Sequence, residues 1–241
     1  MRNKLTVLIV VITALISACT NPSVEVKEWS YNDVEYVDSI SDLVITDTAS
    51  FRKAAAYRQL YLGNKKEQIH LKYFHSAYKQ STYDYDEFIF PIKDSAIIFV
   101  DTTKFIKSRE RELRTIESED QFDYYFESLI YKSYPVTIEN LSSQNINVGY
   151  GDNIDLLMQA KDSLGKWQYI EHPYMYMCGT GMMFPYLKPN QILVTACRIY
   201  KGDYTTKLRL VFNNVGTGVI SNEFVGTINY SQIGEDWTKK W

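Results

Sequence analysis

Thr206-Lys207-Leu208-Arg209-Leu210-Val211-Phe212 is the stretch on which the fold turns. In an extended chain Thr206, Leu208, Leu210 and Phe212 fall on one side and Lys207 and Arg209 on the other, so one face is to be buried and one wetted. That alternation belongs to an antiparallel sheet covered on one side. Outward from it, residues 135–138, 145–148, 154–160, 167–170, 174–178, 192–199 and 224–228 are short β-branched and aromatic runs that read as further strands. Between them Gly149 and Gly151, Ser163-Leu164-Gly165, Pro189-Asn190, Gly202-Asp203 and Asn213-Asn214 supply turn chemistry. Their spacing, about 8 to 12 residues, is that of a β-sandwich. A C-terminal sandwich over residues 133–241 is therefore expected.

The preceding region, residues 36–132, reads as smaller and α+β. Ala54, Ala55 and Ala56 suggest a short helix over 50–60 that ends near Gly63. Ile69, Leu71 and Tyr73 alternate with polar neighbours, and 88–90 and 96–100 are apolar runs split by Pro91, so strands are expected there. Residues 104–120 are densely charged, with Arg109, Glu110, Arg111 and Glu112 in a row, and suit an exposed connection or a solvated helix. Ser118 and Gln121 have capping-box spacing, and Phe122, Tyr125, Phe126, Leu129 and Ile130 recur with helical period. A helix is expected there too.

Composition narrows the function classes. The 241 residues are 45% hydrophobic and 15% aromatic, enough for a large core, and 20 Tyr and 11 Phe favour pleated sheet. With 26 basic against 29 acidic residues the chain has no basic field to condense on phosphates, so no nucleic-acid partner is expected.

The first residues carry an address. Arg2 and Lys4 precede an apolar run over 5–16, about 18 Å long as a helix and too short for a bilayer of about 30 Å. This is the pattern of an export signal. Ile16-Ser17-Ala18-Cys19 resembles the lipobox of bacterial lipoproteins: an apolar residue, two small residues, then cysteine. The resemblance implies that residues 1–18 are removed as a signal peptide, that Cys19 is acylated, and that the lipid bilayer is a partner through it. Thr20, following the cysteine where Asp would favour inner-membrane retention, implies the outer membrane. Acyl chains, at about 0.8 kcal/mol per buried methylene, anchor a body that stays in water. Residues 19–35, polar and holding Pro22, suit a lipidated tether. Loss of Arg2 and Lys4 leaves 24 basic against 29 acidic residues, a net charge of -5 that anionic lipid would not attract.

With Cys19 assigned to lipid, Cys178 and Cys197 remain as a pair in an oxidising compartment, either as a disulfide or as two buried thiols packed as small apolar groups. The second half loosely resembles immunoglobulin-like or fibronectin-like domains of bacterial surface proteins, through Ile138-Glu139-Asn140, Gly165-Lys166-Trp167, Leu187-Lys188-Pro189-Asn190 and residues 200–210. It departs from the antibody pattern, since Cys178 and Cys197 are too close in sequence for the usual inter-sheet link and Trp167 precedes both.

Catalytic signatures fail. Glu171-His172 lacks the second His of a zinc-protease helix, and Gly179-Thr180-Gly181 does not complete a phosphate loop. His172, Cys178 and Cys197 lack a fourth ligand of recognisable spacing, so no metal or other cofactor is expected. The loop over 178–186 joins Gly to Met182, Met183, Phe184 and Tyr186, an adaptable contact surface and the first candidate for a binding edge. The expected function is a membrane-anchored, non-catalytic binding or accessory module whose partner is an envelope protein or glycan. Two other classes compete: a periplasmic immunity-type lipoprotein that neutralises a toxin, and an envelope-polymer enzyme with a carboxylate pair hidden in the fold.

Overall fold

The alternation at 206–212 lies in an inner strand of a four-stranded antiparallel sheet in the computed structural model, which describes residues 29–38, 44–73, 88–118, 121–151, 153–174, 184–212 and 218–234. The described strands are β1 (Glu35–Val37), β2 (Lys53–Ala54), β3 (Tyr61–Asn64), β4 (Gln68–His70), β5 (Phe88–Ile89), β6 (Ala96–Val100), β7 (Ile106–Ser118), β8 (Gln121–Asn140) and β9 (Asn145–Asn147). They continue with β10 (Gly149–Tyr150), β11 (Asn153–Ile154), β12 (Leu156–Lys161), β13 (Trp167–Tyr169), β14 (Glu171–His172), β15 (Tyr186–Leu187), β16 (Gln191–Arg198), β17 (Tyr204–Phe212) and β18 (Phe224–Ile228). The protein is mainly β, with several antiparallel sheets.

Two sheets dominate. One has the order β13-β12-β17-β18, and the other β3-β16-β8-β6 with β7 also on β8; every pairing in both is antiparallel. Both send residues into one core: Ile98, Val136, Ile138 and Leu193 from the second sheet meet the cluster that holds Met158, Leu208, Leu210 and Ile228 from the first. Each such side chain, fully buried, contributes about 1.5–3 kcal/mol. In β17, Leu208, Leu210 and Phe212 are buried and Lys207 is exposed, as the alternation requires. Val211 is buried as well, because a bridge to Ile220 covers that end of the strand.

Turns follow their residue types. Asp162 accepts the N–H groups of Leu164 and Lys166 at 2.9 and 2.8 Å, which closes the β12–β13 hairpin around Gly165 at a φ of +77°. At Lys188-Pro189-Asn190-Gln191 the Gln191 N–H donates to Lys188 O, with Asn190 in the left-handed region that Asn tolerates.

Both expected helices are replaced by extended chain. Residues 50–60 hold only the two-residue β2, and their backbone is laced onto distant strands: Ala55 N–H to His172 O, Ile154 N–H to Tyr57 O, and Leu60 N–H to Val194 O. Burial of Ala55 and Tyr57 on alternate positions is a strand's period, and it overrides the helix propensity of three alanines. The charged stretch is β7, and the helical-looking 122–130 lies inside the twenty-residue β8; the two pair over thirteen registered positions from Ile106–Ser133 to Ser118–Gln121. Thirteen cross-strand pairs, with Tyr and Phe on the pleat, outweigh a local 3.6 period.

The expected division at residue 133 falls inside β8, and β3 and β6 from before it share a sheet with β16 from after it. Residues Tyr31–Trp241 make one compact unit. The last residues of the expected tether are part of the body: Tyr31 donates to Glu139 at 2.5 Å, and Glu35 pairs with Gln68. Cys19, Cys178, Met182 and Met183 lie outside the described residues, and among those described no helix is long and apolar enough to cross a membrane.

Candidate functional site

Two constellations emerge from this frame: a buried ionic network and an open aromatic cleft. The network begins with Arg198, the charged end of the otherwise apolar β16. Register places Arg198 opposite Ser133, and Ser133 opposite Ile106, so the pleat puts Arg198, Tyr131, Ser108 and Glu110 on one face. The segment that follows Val44 runs along the edge of these strands. Its backbone pairs with β8 through Ile45 and with Lys201 through Asp47 O.

Arg198, with a side chain 5% exposed, donates from Nη1 to Asp47 Oδ2 and from Nη2 to Glu110 Oε2, both at 2.6 Å. Lys53 Nζ stands 3.3 Å from Asp47 Oδ2 and 3.3 Å from the Tyr131 hydroxyl. The guanidinium lies 5.0 Å from the Tyr131 ring centre, within cation–π range. Beside it, Glu171 accepts the Tyr57 hydroxyl and Met158 N–H at 2.8 Å and the Tyr200 hydroxyl at 3.0 Å.

Burial pushes the Glu110 carboxyl up to about 7, against the pull of Arg198 and Lys53. Burial likewise raises Glu171, although Arg198 and three hydrogen bonds oppose it. Burial also lifts Asp47, but there the Arg198 hydrogen bond and charge, Ala49 N–H and Lys53 win, and its carboxyl stays below the ordinary value. Burial and the charge of Glu171 keep Tyr57 and Tyr200 protonated far above neutral pH. The network thus holds three buried carboxylates whose oxygens are turned onto the protein's own donors. It fastens the 45–57 segment to both large sheets.

The cleft lies elsewhere. It has a volume of about 430 Å³ and is lined by Asn32, Asp33, Val34, Glu35, Tyr36, Lys104 and Phe105, within the size range of small-ligand sites. One wall is the 31–37 segment, held on β8 by Tyr31 on Glu139 and by the Tyr36 hydroxyl 3.2 Å from Thr137 Oγ1. The other wall is the turn after β6. There Lys104 Nζ donates to Asn32 O at 2.6 Å, sits 3.1 Å from Asp101 Oδ2 and lies 5.8 Å from the Tyr36 ring centre.

Phe105 is 56% exposed, an uncommon state for so large an apolar side chain. Its ring stacks on Tyr134 at 5.6 Å, and Lys132 Nζ stands 3.8 Å from its centre. The ring is therefore held by two neighbours and is still more than half exposed. The arrangement offers a planar apolar platform beside a cation and the carboxylates of Asp33 and Glu35. It provides what stacking on a pyranose face and hydrogen bonding to ring hydroxyls need.

Of the residues singled out in the sequence, Phe184 meets Tyr150 edge-on at 5.4 Å, and Tyr186 pairs with Asn147 in β15; both are half-buried, and neither lines the cleft. Among the described residues Cys197 is a buried free thiol whose Sγ lies 3.8 Å from Arg198 O; Cys178, its expected counterpart, lies outside them. Among the described residues no group of three or more His, Cys, Asp or Glu is placed to hold a metal ion. Sequence reading passed over Tyr36, Lys104 and Phe105 because they are distributed between two segments. Arg198 did leave a signal, a lone charge at the end of an apolar run. Set beside known proteins, the chain matches no family model, no curated protein and no solved structure.

Proposed function

We propose that this chain is a lipid-anchored, non-catalytic binding protein of the bacterial cell envelope, tethered to the outer membrane through acylated Cys19, and that its ligand is an envelope glycan received in the Tyr36–Lys104–Phe105 cleft. The observation that carries the reading is the exposed Phe105 ring, immobilised by Tyr134 and Lys132 at the mouth of a 430 Å³ cleft. A ring held rigid in water costs little entropy to cover, so a sugar face laid on it gains most of the burial. Lys104, Asp33 and Glu35 would then select hydroxyl and charged substituents. The lipobox at 16–19 supports the address, and a β-sandwich surface module of immunoglobulin-like type is part of the same reading.

Two measurements test it. Cys19→Ala should abolish incorporation of labelled acyl chains and release the protein from the membrane fraction without unfolding it; retention of the variant in membranes refutes the anchor. Titration of purified envelope oligosaccharides should broaden or shift the resonances of Lys104 and Phe105, and Phe105→Ala should weaken that binding about 10-fold. Binding unaffected by Phe105→Ala would remove the cleft from the function.

A further inference from the structure

The wet side of the β13-β12-β17-β18 sheet carries a fixed cation whose donors the protein leaves open. Register sets Gln159 of β12 opposite Tyr169 on one side and Arg209 on the other, Lys161 opposite Trp167, and Lys207 opposite Val225. These positions alternate with Met158, Ala160, Leu208 and Leu210 of the core, so they share the face turned away from it. On that face Tyr169 is 38% and Val225 65% exposed.

At the centre stands Arg209, half-buried. Its Nε donates to Gln159 Oε1 at 2.8 Å, and its guanidinium carbon lies 4.1 Å from the Trp167 ring centre, so a hydrogen bond and an aromatic contact together hold the guanidinium. Neither Nη group has a partner among the described residues. Glu223, the carboxylate whose charge reaches Arg209, is drawn instead to Lys207 at 2.8 Å and to Lys161 at 3.8 Å. Lys161 Nζ also lies 4.9 Å from the Trp167 ring centre. Arg209, Lys161 and Lys207 against Glu223 leave this face positive in a chain whose net charge is -3.

We propose that this face binds an acidic glycan, with a sugar carboxylate held end-on by the two Nη groups of Arg209. An arginine tied at Nε and held against a ring presents two parallel N–H groups, the geometry that matches a planar two-oxygen anion. Lys161 and Lys207 receive further carboxylates along the same chain, and the exposed Tyr169, whose hydroxyl makes no hydrogen bond among the described residues, is open to ring hydroxyls. A pleated face suits an extended polymer. An anionic bilayer would set its plane of charge against the whole negative chain, whereas a glycan strand meets only this face. The face shares no residue with the Tyr36–Lys104–Phe105 cleft, so it is a second site beside that one.

The test is calorimetric titration of the full chain, in nonionic detergent, with an oligogalacturonate and with the same oligosaccharide methyl-esterified. The wild type should bind the free acid with a Kd below about 1 mM and the ester at least about 10-fold more weakly. Arg209→Lys keeps the charge, loses the fork and should weaken binding about 10-fold. Gln159→Leu unties Nε and should weaken binding about 3-fold alone and no further in the Arg209→Lys background, because it acts only through the fork. Lys188→Gln removes an exposed positive charge from the turn before β16 and should leave binding within about 2-fold, and far-UV circular dichroism verifies folding of each variant. Absence of binding at about 10 mM free acid, equal binding of acid and ester, or Arg209→Lys with wild-type affinity overturns the proposal. So do Gln159→Leu and Arg209→Lys effects that simply add, Lys188→Gln as weak as Arg209→Lys, and a wild type that prefers phosphatidylglycerol vesicles to the oligogalacturonate.

Discussion

Glu110→Gln isolates the cost of ionising a carboxyl inside the buried network. Glu110 has an ordinary value of 4.5 and is pushed up to about 7 by burial in the folded protein. The folded state therefore binds this proton more tightly than the unfolded chain, and the associated stability is fully present below pH 4.5 and is lost as pH rises through 7. At 1.36 kcal/mol per tenfold, the loss is about 3 kcal/mol. For a domain of this size that corresponds to about 6–12 °C in the unfolding midpoint. Glu171, also raised by burial, acts in the same direction. Asp47, held below its ordinary 3.8, acts in the opposite direction only at lower pH. Thermal unfolding of the full chain in detergent, followed by near-ultraviolet circular dichroism at pH 5 and pH 8, should show the wild type less stable at pH 8. Gln keeps the shape and cannot ionise, so Glu110→Gln should lose the Glu110 share of that difference, keep the Glu171 share, and exceed the wild type at pH 8. An equal pH slope in the two proteins would refute the reasoning.

Four further outcomes are expected. Arg198→Met leaves Asp47 and Glu110 buried without their shared cation and should cost about 3–5 kcal/mol, read from the urea midpoint at constant slope. Met158→Ala, at a fully buried position of the shared core, should cost about 2–5 kcal/mol in the same assay. At Gly202 an added Cβ would stand 2.1 Å from the Ile228 carbonyl carbon, so Gly202→Ala should send most of the expressed protein to the insoluble fraction. Gly165→Ala, with nothing within 4 Å and only the left-handed φ to oppose it, should stay soluble and lose about 1–2 kcal/mol.

Legibility of the chain divides along the range of the interactions involved. β17 and β16 could be read because a strand buried on one face, or a short wholly buried run, writes its environment into neighbouring residues. The β7–β8 pair could not. Phe122, Phe126 and Ile130 satisfy a helical period as well as a strand's parity, and the choice fell to pairing with residues 106–118 across a turn. At 50–60 the three alanines are locally indifferent, and hydrogen bonds to His172, Ile154 and Val194, over a hundred or more positions away except for Ile154, draw the chain out straight. Ile154 itself is nearly as remote.

The candidate site follows the same division. Phe105 sits in a charged stretch where nothing marks it as a site residue; it becomes one when β8 stacks Tyr134 on it and brings the Lys132 ammonium over the ring. Tyr36 joins Lys104 only because Tyr31 and Tyr36 dock on Glu139 and Thr137. By itself the sequence determined the mainly β class and the hairpin turns, since these depend on side-chain alternation and on Gly, Asn and Asp chemistry within a few residues. Tertiary structure decided the length of β8, the single unit spanning residue 133, the ionic network and the cleft, because each needs groups far apart in the chain whose desolvation and pairing become favourable only once the sheets have brought them together.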